Sequence, residues 1–452
     1  MPSHKNYRKI CEELLLPLDI RIYEDKDNKR DMRPWDMQVH NPELYKRVLS
    51  YGSKCSLPLG DSYMEGWWDA SALDKFFEKL TKNRPRIPSH LPIFLSVPFI
   101  QRKAAEFFHT LYERIVNPQN RILSKQVAEQ HYDLGNDFYE IMLDSPLTAD
   151  GNTDTSNESY MQYTCGYWRD ARNLHEAQRN KLDLICKKLH LPRKGSQSGR
   201  LERILELGSG FGGFAKYATE NYDCEVTCYN ISQEQVAYPR KLNEGNPRVK
   251  IRHEDYRDAF IDESKNYFDF AVSIGNLEHV GPLNYRNYMQ GVHHCLKPEG
   301  LFLVHTIGRH ISAKPGQADP WITKWIFPGG HLSSASQITK AAEGFFTLLD
   351  MHNFGHDYGP TLGEWFKNFD RNWQKFIDNG GDNGDRFYKT LQTFFGKFNE
   401  SFDSREKYFK RFYRMWKGYL LRTKGAFDSG SLDLFQLVFG KGNLSSAYAP
   451  VR

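Results

Sequence analysis

Between Ile204 and Ile307, short apolar runs alternate with stretches whose apolar residues recur at helical spacing. RILEL (203–207), EVTCYN (225–230), VKIRH (249–253), FDFAVSI (268–274) and LFLVHTI (301–307) read as five buried strands. The stretches GFAKYATENY, SQEQVAYPRKLNE and NYRNYMQGVHHCL lie between them and read as helices, and the turn LKPEG closes the last of these before the fifth strand. Strand–helix alternation of this kind predicts an α/β fold, with a mainly parallel sheet covered by helices on both faces.

The chain changes character on either side of this region. Upstream, PLGDSYMEGWWDASALDKFFEKL (58–80) is compact and aromatic, TKNRPRIPSHLP is loop-rich, and FIQRKAAEFFHTLYERIV is helical. A division near residue 125 therefore separates a smaller, mostly helical first domain (1–125) from a second domain (126–452). Residues 145–159, SPLTADGNTDTSNES, are mostly polar and predict a mobile insertion. Beyond about 330 the chain predicts mostly helix, with Trp365, Phe369, Trp373 and Phe376 forming one apolar stripe and 379–385 (NGGDNGD) a surface loop.

Composition adds limits. A chain of 452 residues suits two domains. Its formal charge of +5 gives little support for nucleic acid as a partner, and is compatible with an anionic membrane surface. Seven scattered cysteines argue against a disulfide framework, and Cys224 and Cys228, without a second pair at zinc spacing, read as core thiols. No stretch approaches the ~18 apolar residues of a membrane span, and the start of the chain lacks a secretory pattern. The expectation is a soluble, cytoplasmic protein.

The strongest local signal is LELGSGFGG (205–213), a buried strand running into glycines and then into a helix. Glycines let a ligand approach the main chain, and the helix start offers unpaired N–H groups. Gly208, Gly210 and Gly213 satisfy the dinucleotide fingerprint literally, so a nicotinamide cofactor is one reading. Glu206 ahead of Gly208, Ser209, Gly210 and Gly212 gives the E-x-G-x-G-x-G form of methyltransferases instead. The acid expected ~20 residues further on to hold a dinucleotide ribose is replaced by Asn230. Glu254 and Asp255, in HEDYRD (253–258), either contact an adenosine or cap the next helix.

HYDLGNDFYEIMLD (131–144), MQYTCGYW (161–168), NISQEQ (230–235), GNLEHVG (275–281), LVHTIG (303–308), DPWITKWIFPGG (319–330) and HNFGHDYGPTLGEW (352–365) occur in order with the glycine loop. Together they resemble the cyclopropane-fatty-acyl-phospholipid synthases. NPELYKRVL (41–49) and LGDSYMEGWWD (59–69) extend the resemblance to the front of the chain, as in the full-length bacterial-type enzymes. The resemblance implies a Rossmann-like class I methyltransferase domain that uses S-adenosylmethionine. Tyr163 and Thr164 would cover that cofactor, the glycine loop would face its methionine part, Asn230, Ser232 and Gln235 its ribose, and Glu254 and Asp255 its adenine. Cys165, Glu278, His305, Ile307 (through its backbone) and Tyr358 match the residues that hold a bicarbonate ion in this family. Glu206 and Ser209 depart from the commoner Asp and Cys, and Glu254 from an amide.

The implied reaction is transfer of a methylene carbon to a cis double bond of an unsaturated phospholipid, with bicarbonate as general base. The alternatives are a lipid methyltransferase giving a branched chain, a small-molecule N-methyltransferase, a nicotinamide oxidoreductase and a lipid-binding protein without activity. A homodimer in peripheral contact with an anionic membrane is expected. Lys82, Arg84, Arg86, Arg102, Lys103, Arg114, Arg121 and Lys125, with the apolar run LPIFLSVPFI (91–100), are candidates for that contact, or else form a solvated face.

Overall fold

The structure, a computed structural model, describes residues 4–83, 117, 119, 134–143, 160–196, 199–231, 233–312, 318–378, 382–442, 444 and 448–452. The insertion at 145–159, the run at 91–100, Ser232, the Gln235 side chain and every basic residue of the candidate membrane stretch except Lys82 lie outside the described residues. The chain forms two compact units: Met1–Asn117 with Ala313–Pro328 and Ile377–Leu432, and Pro118–Ser312 with Gly329–Phe376 and Asp433–Arg452. The expected division near 125 lies close to the passage at 117/118, but two later segments return to the first unit.

In the first unit β1 (Ile22–Glu24) runs parallel to β2 (Met37–Val39), which pairs antiparallel with β3 (Trp68–Asp69). Trp68 is fully buried, and its indole N–H donates to the Leu59 carbonyl at 2.9 Å. In the helix Leu73–Lys82, Leu73, Phe76 and Phe77 turn inward at helical spacing. The helix Arg405–Asp428 crosses it at Gly425, where a Cβ would come within 2.6 Å of the Asp74 carbonyl.

The second unit is built on seven strands: β4 (Glu202–Leu207), β5 (Cys224–Tyr229), β6 (Val249–Arg252), β7 (Phe268–Ile274), β8 (Leu296–Gly308), β9 (Thr347–Asn353) and β10 (Asp433–Gly440). Their order is β6-β5-β4-β7-β8-β10-β9. The first five are parallel, and β10 lies antiparallel between β8 and β9. Alternation along β4 sends Ile204 to a core shared with the helices Leu174–Lys188 and Gly213–Asn221. Leu205 and Leu207 go to the opposite core, with Tyr285–Cys295 and Ala335–Ala342. Helices on both faces explain why the parallel strands read as apolar runs.

The five strands expected from the sequence are all present. LKPEG belongs to β8 as an irregularity, where the register with β7 shifts and Glu299 takes φ 65°. The region after 330 is not only helical: it supplies β9 and β10. Of the expected loop at 379–385, residues 382–385 belong to a helix that starts at Asp382, and 379–381 lie outside the described residues. The aromatic stripe lies on the helix Tyr358–Asp378, and all four rings are buried. All seven cysteines are free, with Cys224 and Cys228 buried in β5. No described helix is long and apolar enough to cross a membrane.

Candidate active site

The glycine loop leaves the end of β4 and enters the helix Gly213–Asn221. Gly212, φ 81°, caps that helix, and a Cβ there would lie 2.6 Å from Pro239. Gly210 differs. Its φ is 50°, and no atom of the described residues lies within 4 Å of where its Cβ would be, so among them its backbone faces open space as a ligand's approach requires. Asn230, buried at the end of β5, donates to the Gly210 carbonyl at 3.2 Å and so fixes the loop from below. Glu206 is buried beneath it and accepts from the Cys228 thiol at 3.1 Å; burial pushes its carboxyl up to about 7. Ser209 is buried beside Asn230.

At the third strand's edge the two carboxylates part company. Asp255 is buried and accepts from the Arg257 backbone N–H at 2.9 Å, capping the short helix Tyr256–Ala259. Glu254 is exposed, with Arg252 3.7 Å away.

Residues 160–166 run over this loop. A Cβ on Gly213 would overlap the Tyr160 carbonyl oxygen, 1.8 Å away, and one on Gly275 would meet Thr164 at 2.7 Å. The strap is tied from the helix Leu174–Lys188. Gln178 donates to the Thr164 carbonyl at 2.8 Å, and the Lys181 ammonium donates to the Thr164 hydroxyl at 2.9 Å and to the Gln162 side-chain oxygen. Lys181 is fully buried, and burial drags it down to about 7, against the pull of Cys165 and Glu206. The Tyr163 ring sits 5.4 Å from Tyr139 and 5.3 Å from Trp365.

The five residues expected to carry chemistry all lie in the second unit. One Glu278 oxygen accepts from the Ile307 N–H at 2.7 Å. The other is buried with no partner among the described residues. Burial raises Glu278 toward its protonated form, opposed by the Ile307 N–H. His305, two residues before Ile307 on β8, is fully buried. Its Nδ1 faces the Gln436 amide nitrogen at 3.2 Å, and its Nε2 has no partner among the described residues. Burial, with the Lys181 and Lys188 charges, holds His305 well below the usual histidine range, so the ring is neutral.

Tyr358 opens the helix Tyr358–Asp378, is buried, and stands edge-on to Trp365 at 6.0 Å. One turn on, the Thr361 hydroxyl accepts from the Gly166 N–H at 3.1 Å. Its hydroxyl lies 3.9 Å from the Cys165 sulfur, a buried thiol that burial keeps protonated. Phe354 packs 5.9 Å from the His305 ring. Glu278 Oε2 and His305 Nε2 are two of fourteen buried side-chain polar atoms without a partner among the described residues, and both belong to residues on or bonded to one stretch of β8. A small oxyanion with donors and acceptors of its own fits that arrangement.

Sequence reasoning missed Lys181, Gln436 and Thr361. A signal existed for the first: Leu174, Ala177, Lys181, Leu184 and Lys188 share one buried helical face, so two lysines sit at core positions. Gln436 is a lone amide in DLFQLVFG, a wholly buried strand.

The strand order with its antiparallel β10, the open glycine loop and the strap over it define a class I S-adenosylmethionine-dependent methyltransferase. Residues 119–388 match the model of the family described as mycolic acid cyclopropane synthetase. The chain belongs to this cyclopropane synthase family. It is 37% identical to the cyclopropane-fatty-acyl-phospholipid synthase of Escherichia coli (strain K12), over 97% of this chain and 94% of that one. It is 25% identical to the tuberculostearic acid methyltransferase UfaA1 of Mycobacterium tuberculosis, covering 93% and 87%. Among solved structures, the mycolic acid cyclopropane synthase CmaA1 complexed with SAH and CTAB superposes with a TM-score of 0.52 at 25% identity, covering 70% of this chain and 98% of that one.

Proposed function

We propose that the protein transfers a methylene carbon from S-adenosylmethionine to a cis double bond of an unsaturated phospholipid acyl chain, closing a cyclopropane ring. The observation that carries this reading is the pair of buried, unpartnered atoms, Glu278 Oε2 and His305 Nε2, within a family whose relatives modify lipids. When bound, the cofactor would supply an electrophilic methyl group: its S–CH3 bond would break as the methyl bonds to an alkene carbon, S-adenosylhomocysteine would leave, and the resulting cation on the lipid chain would close the ring on losing a methyl proton. A bound bicarbonate would supply the base for that proton.

The protein's own groups prepare the site. Gly210 opens the main chain to the cofactor, Gly208 and Gly212 make the left-handed turns of the loop against Asn276 and Pro239, and Tyr163 and Thr164 would cover the cofactor. Neutral His305, the Ile307 backbone, Cys165 and Tyr358 would hold the ion, with Glu278 orienting the hydrogen bonds around it. Aromatic faces at Tyr163, Trp365 and Tyr358 keep water away and stabilise positive charge. The buried Cys165 thiol, held protonated, is a poor competitor for the methyl group.

We assign residues 1–125 to lipid and membrane association and 126–452 to the catalytic domain. We also propose that the protein acts as a homodimer in peripheral contact with an anionic membrane, from the cytoplasmic side.

The test is to incubate the protein with S-adenosylmethionine and unsaturated phospholipid vesicles, then analyse the lipid by mass spectrometry and proton NMR. Gain of one CH2 with cyclopropane protons supports the proposal. The same mass with a methyl branch would favour the activity named for the mycobacterial relative. No mass gain would overturn both.

A further inference from the structure

His305 and Gln436 face each other across the antiparallel ladder of β8 and β10, residue against residue. Both are buried, His305 at 1% and Gln436 at 0% exposure. Gln436 interrupts a strand otherwise occupied by Leu434, Phe435, Leu437, Val438 and Phe439. A buried polar group without a partner is costly; the Gln436 amide nitrogen has one, while its oxygen has none among the described residues.

The partner is the His305 ring. The amide N–H of Gln436 points at Nδ1 from 3.2 Å, which requires Nδ1 to accept. A neutral imidazole that accepts at Nδ1 carries its hydrogen on Nε2. The reversed amide would place an oxygen on Nδ1, move the ring hydrogen there, and leave Nε2 as a bare lone pair. The two cases differ in what the site offers. Nε2 has no partner among the described residues and shares its stretch of β8 with the Glu278–Ile307 pair. With the hydrogen on Nε2 the site offers an N–H donor to an anion, whereas a lone pair would repel one.

We infer that Gln436 is a positioning residue that holds neutral His305 in its Nε2–H form, so that a hydrogen-bond donor faces the buried anion. This inference rests on the anion site proposed above. The groups around His305 are consistent with a neutral donor. The Lys181 and Lys188 charges on the helix Leu174–Lys188 oppose a second proton on the ring, and Phe354 covers it at 5.9 Å. His352, opposite Gln436 on β9, has its pKa lowered to about 4 and is neutral as well.

The test uses the full-length protein labelled with 15N-histidine, with His305 assigned by comparison with His305→Ala. Long-range 15N–1H correlations should show the Nε2–H tautomer for His305 in the unaltered protein. Gln436→Met keeps the volume and removes the amide. In it the Nδ1–H form should appear, and kcat should fall about a hundredfold, the scale set by a misoriented general acid–base group. Its S-adenosylhomocysteine affinity, measured by calorimetry, should stay within about threefold, since the Gln436 side chain bonds to His305, which is not among the residues assigned to the cofactor. An Nδ1–H signal for His305 in the unaltered protein overturns the inference, whether or not the variant folds. So does a Gln436→Met variant that keeps its kcat while His305→Ala loses it. If His305→Ala itself keeps full turnover, the anion-site reading fails first and the positioning role falls with it.

Discussion

Lys181 offers the most quantitative test of how the strap is held. It is fully buried, its ammonium donates to Gln162 and Thr164, and its pKa falls from 10.5 to about 7 because burial outweighs the nearby negative potential. In the unfolded chain the side chain stays protonated up to the ordinary lysine range. Between about pH 7 and 10.5 the unfolded state therefore binds more protons than the folded one, and stability rises with pH. At about 1.4 kcal/mol per pH unit, the whole window is worth on the order of 5 kcal/mol. Lys181→Met removes this contribution while keeping the length of the side chain. Urea denaturation of both proteins should show the difference in stability moving toward the unaltered protein by about 2–3 kcal/mol between pH 7 and 9. Taking the difference cancels tyrosines and lysines that titrate alike in both. The variant also loses two ties on the strap, so calorimetry should show S-adenosylmethionine binding weakened about tenfold, or 1.4 kcal/mol. A difference in stability that does not change with pH would refute the buried, proton-losing lysine. Unchanged cofactor affinity would refute the strap's role.

Gly210→Val places a side chain where the loop is open; calorimetry should show S-adenosylmethionine binding reduced at least tenfold, and NADH should bind neither protein. Glu278→Gln, His305→Ala and Tyr358→Phe should each lower kcat about a hundredfold or more while cofactor affinity changes much less; proportional loss of both would mean their role is misassigned. Added bicarbonate should partly restore the weakest of these defects. Neutralising Arg84, Arg86, Arg102 and Lys103 together should reduce salt-sensitive vesicle binding and activity on vesicles while sparing cofactor binding, and full retention of both would make that stretch a solvated face.

The parallel strands were legible because burial makes β4, β5, β7 and β8 largely apolar, while β6, at the sheet edge, alternates apolar and charged as VKIR. The glycine loop was legible because its composition is itself the requirement. β9 was not: as an edge strand it reads TLLDMHN, polar and apolar by turns, between two stretches that read as helix. β10 is as apolar as any parallel strand, but it follows a long helical region, and nothing local says that it inserts between β8 and β9. The chemical residues were found through motifs, and their local sequence could not show which would be left with unpartnered atoms. Glu278 and His305 acquire that property only when β8 brings Ile307 to one and β10 brings Gln436 to the other. Lys181 and Gln436 read as ordinary polar residues until the helix and the strand are seen from the inside.

The place of β10 in the sheet also governs the order in which the chain can finish folding. β8 ends at Gly308, and its antiparallel neighbour begins only at Asp433. At roughly 5–20 residues per second, a ribosome needs about 10 s to make what lies between. For that time β8 presents an unpaired edge to the cell, with His305 on it. Much of the intervening chain, Ala313–Pro328 and Ile377–Leu432, goes to the other compact unit. Neither unit can therefore be completed before synthesis of the other is far advanced, and a nascent chain stalled before Asp433 carries the glycine loop while lacking the strand that aligns its histidine.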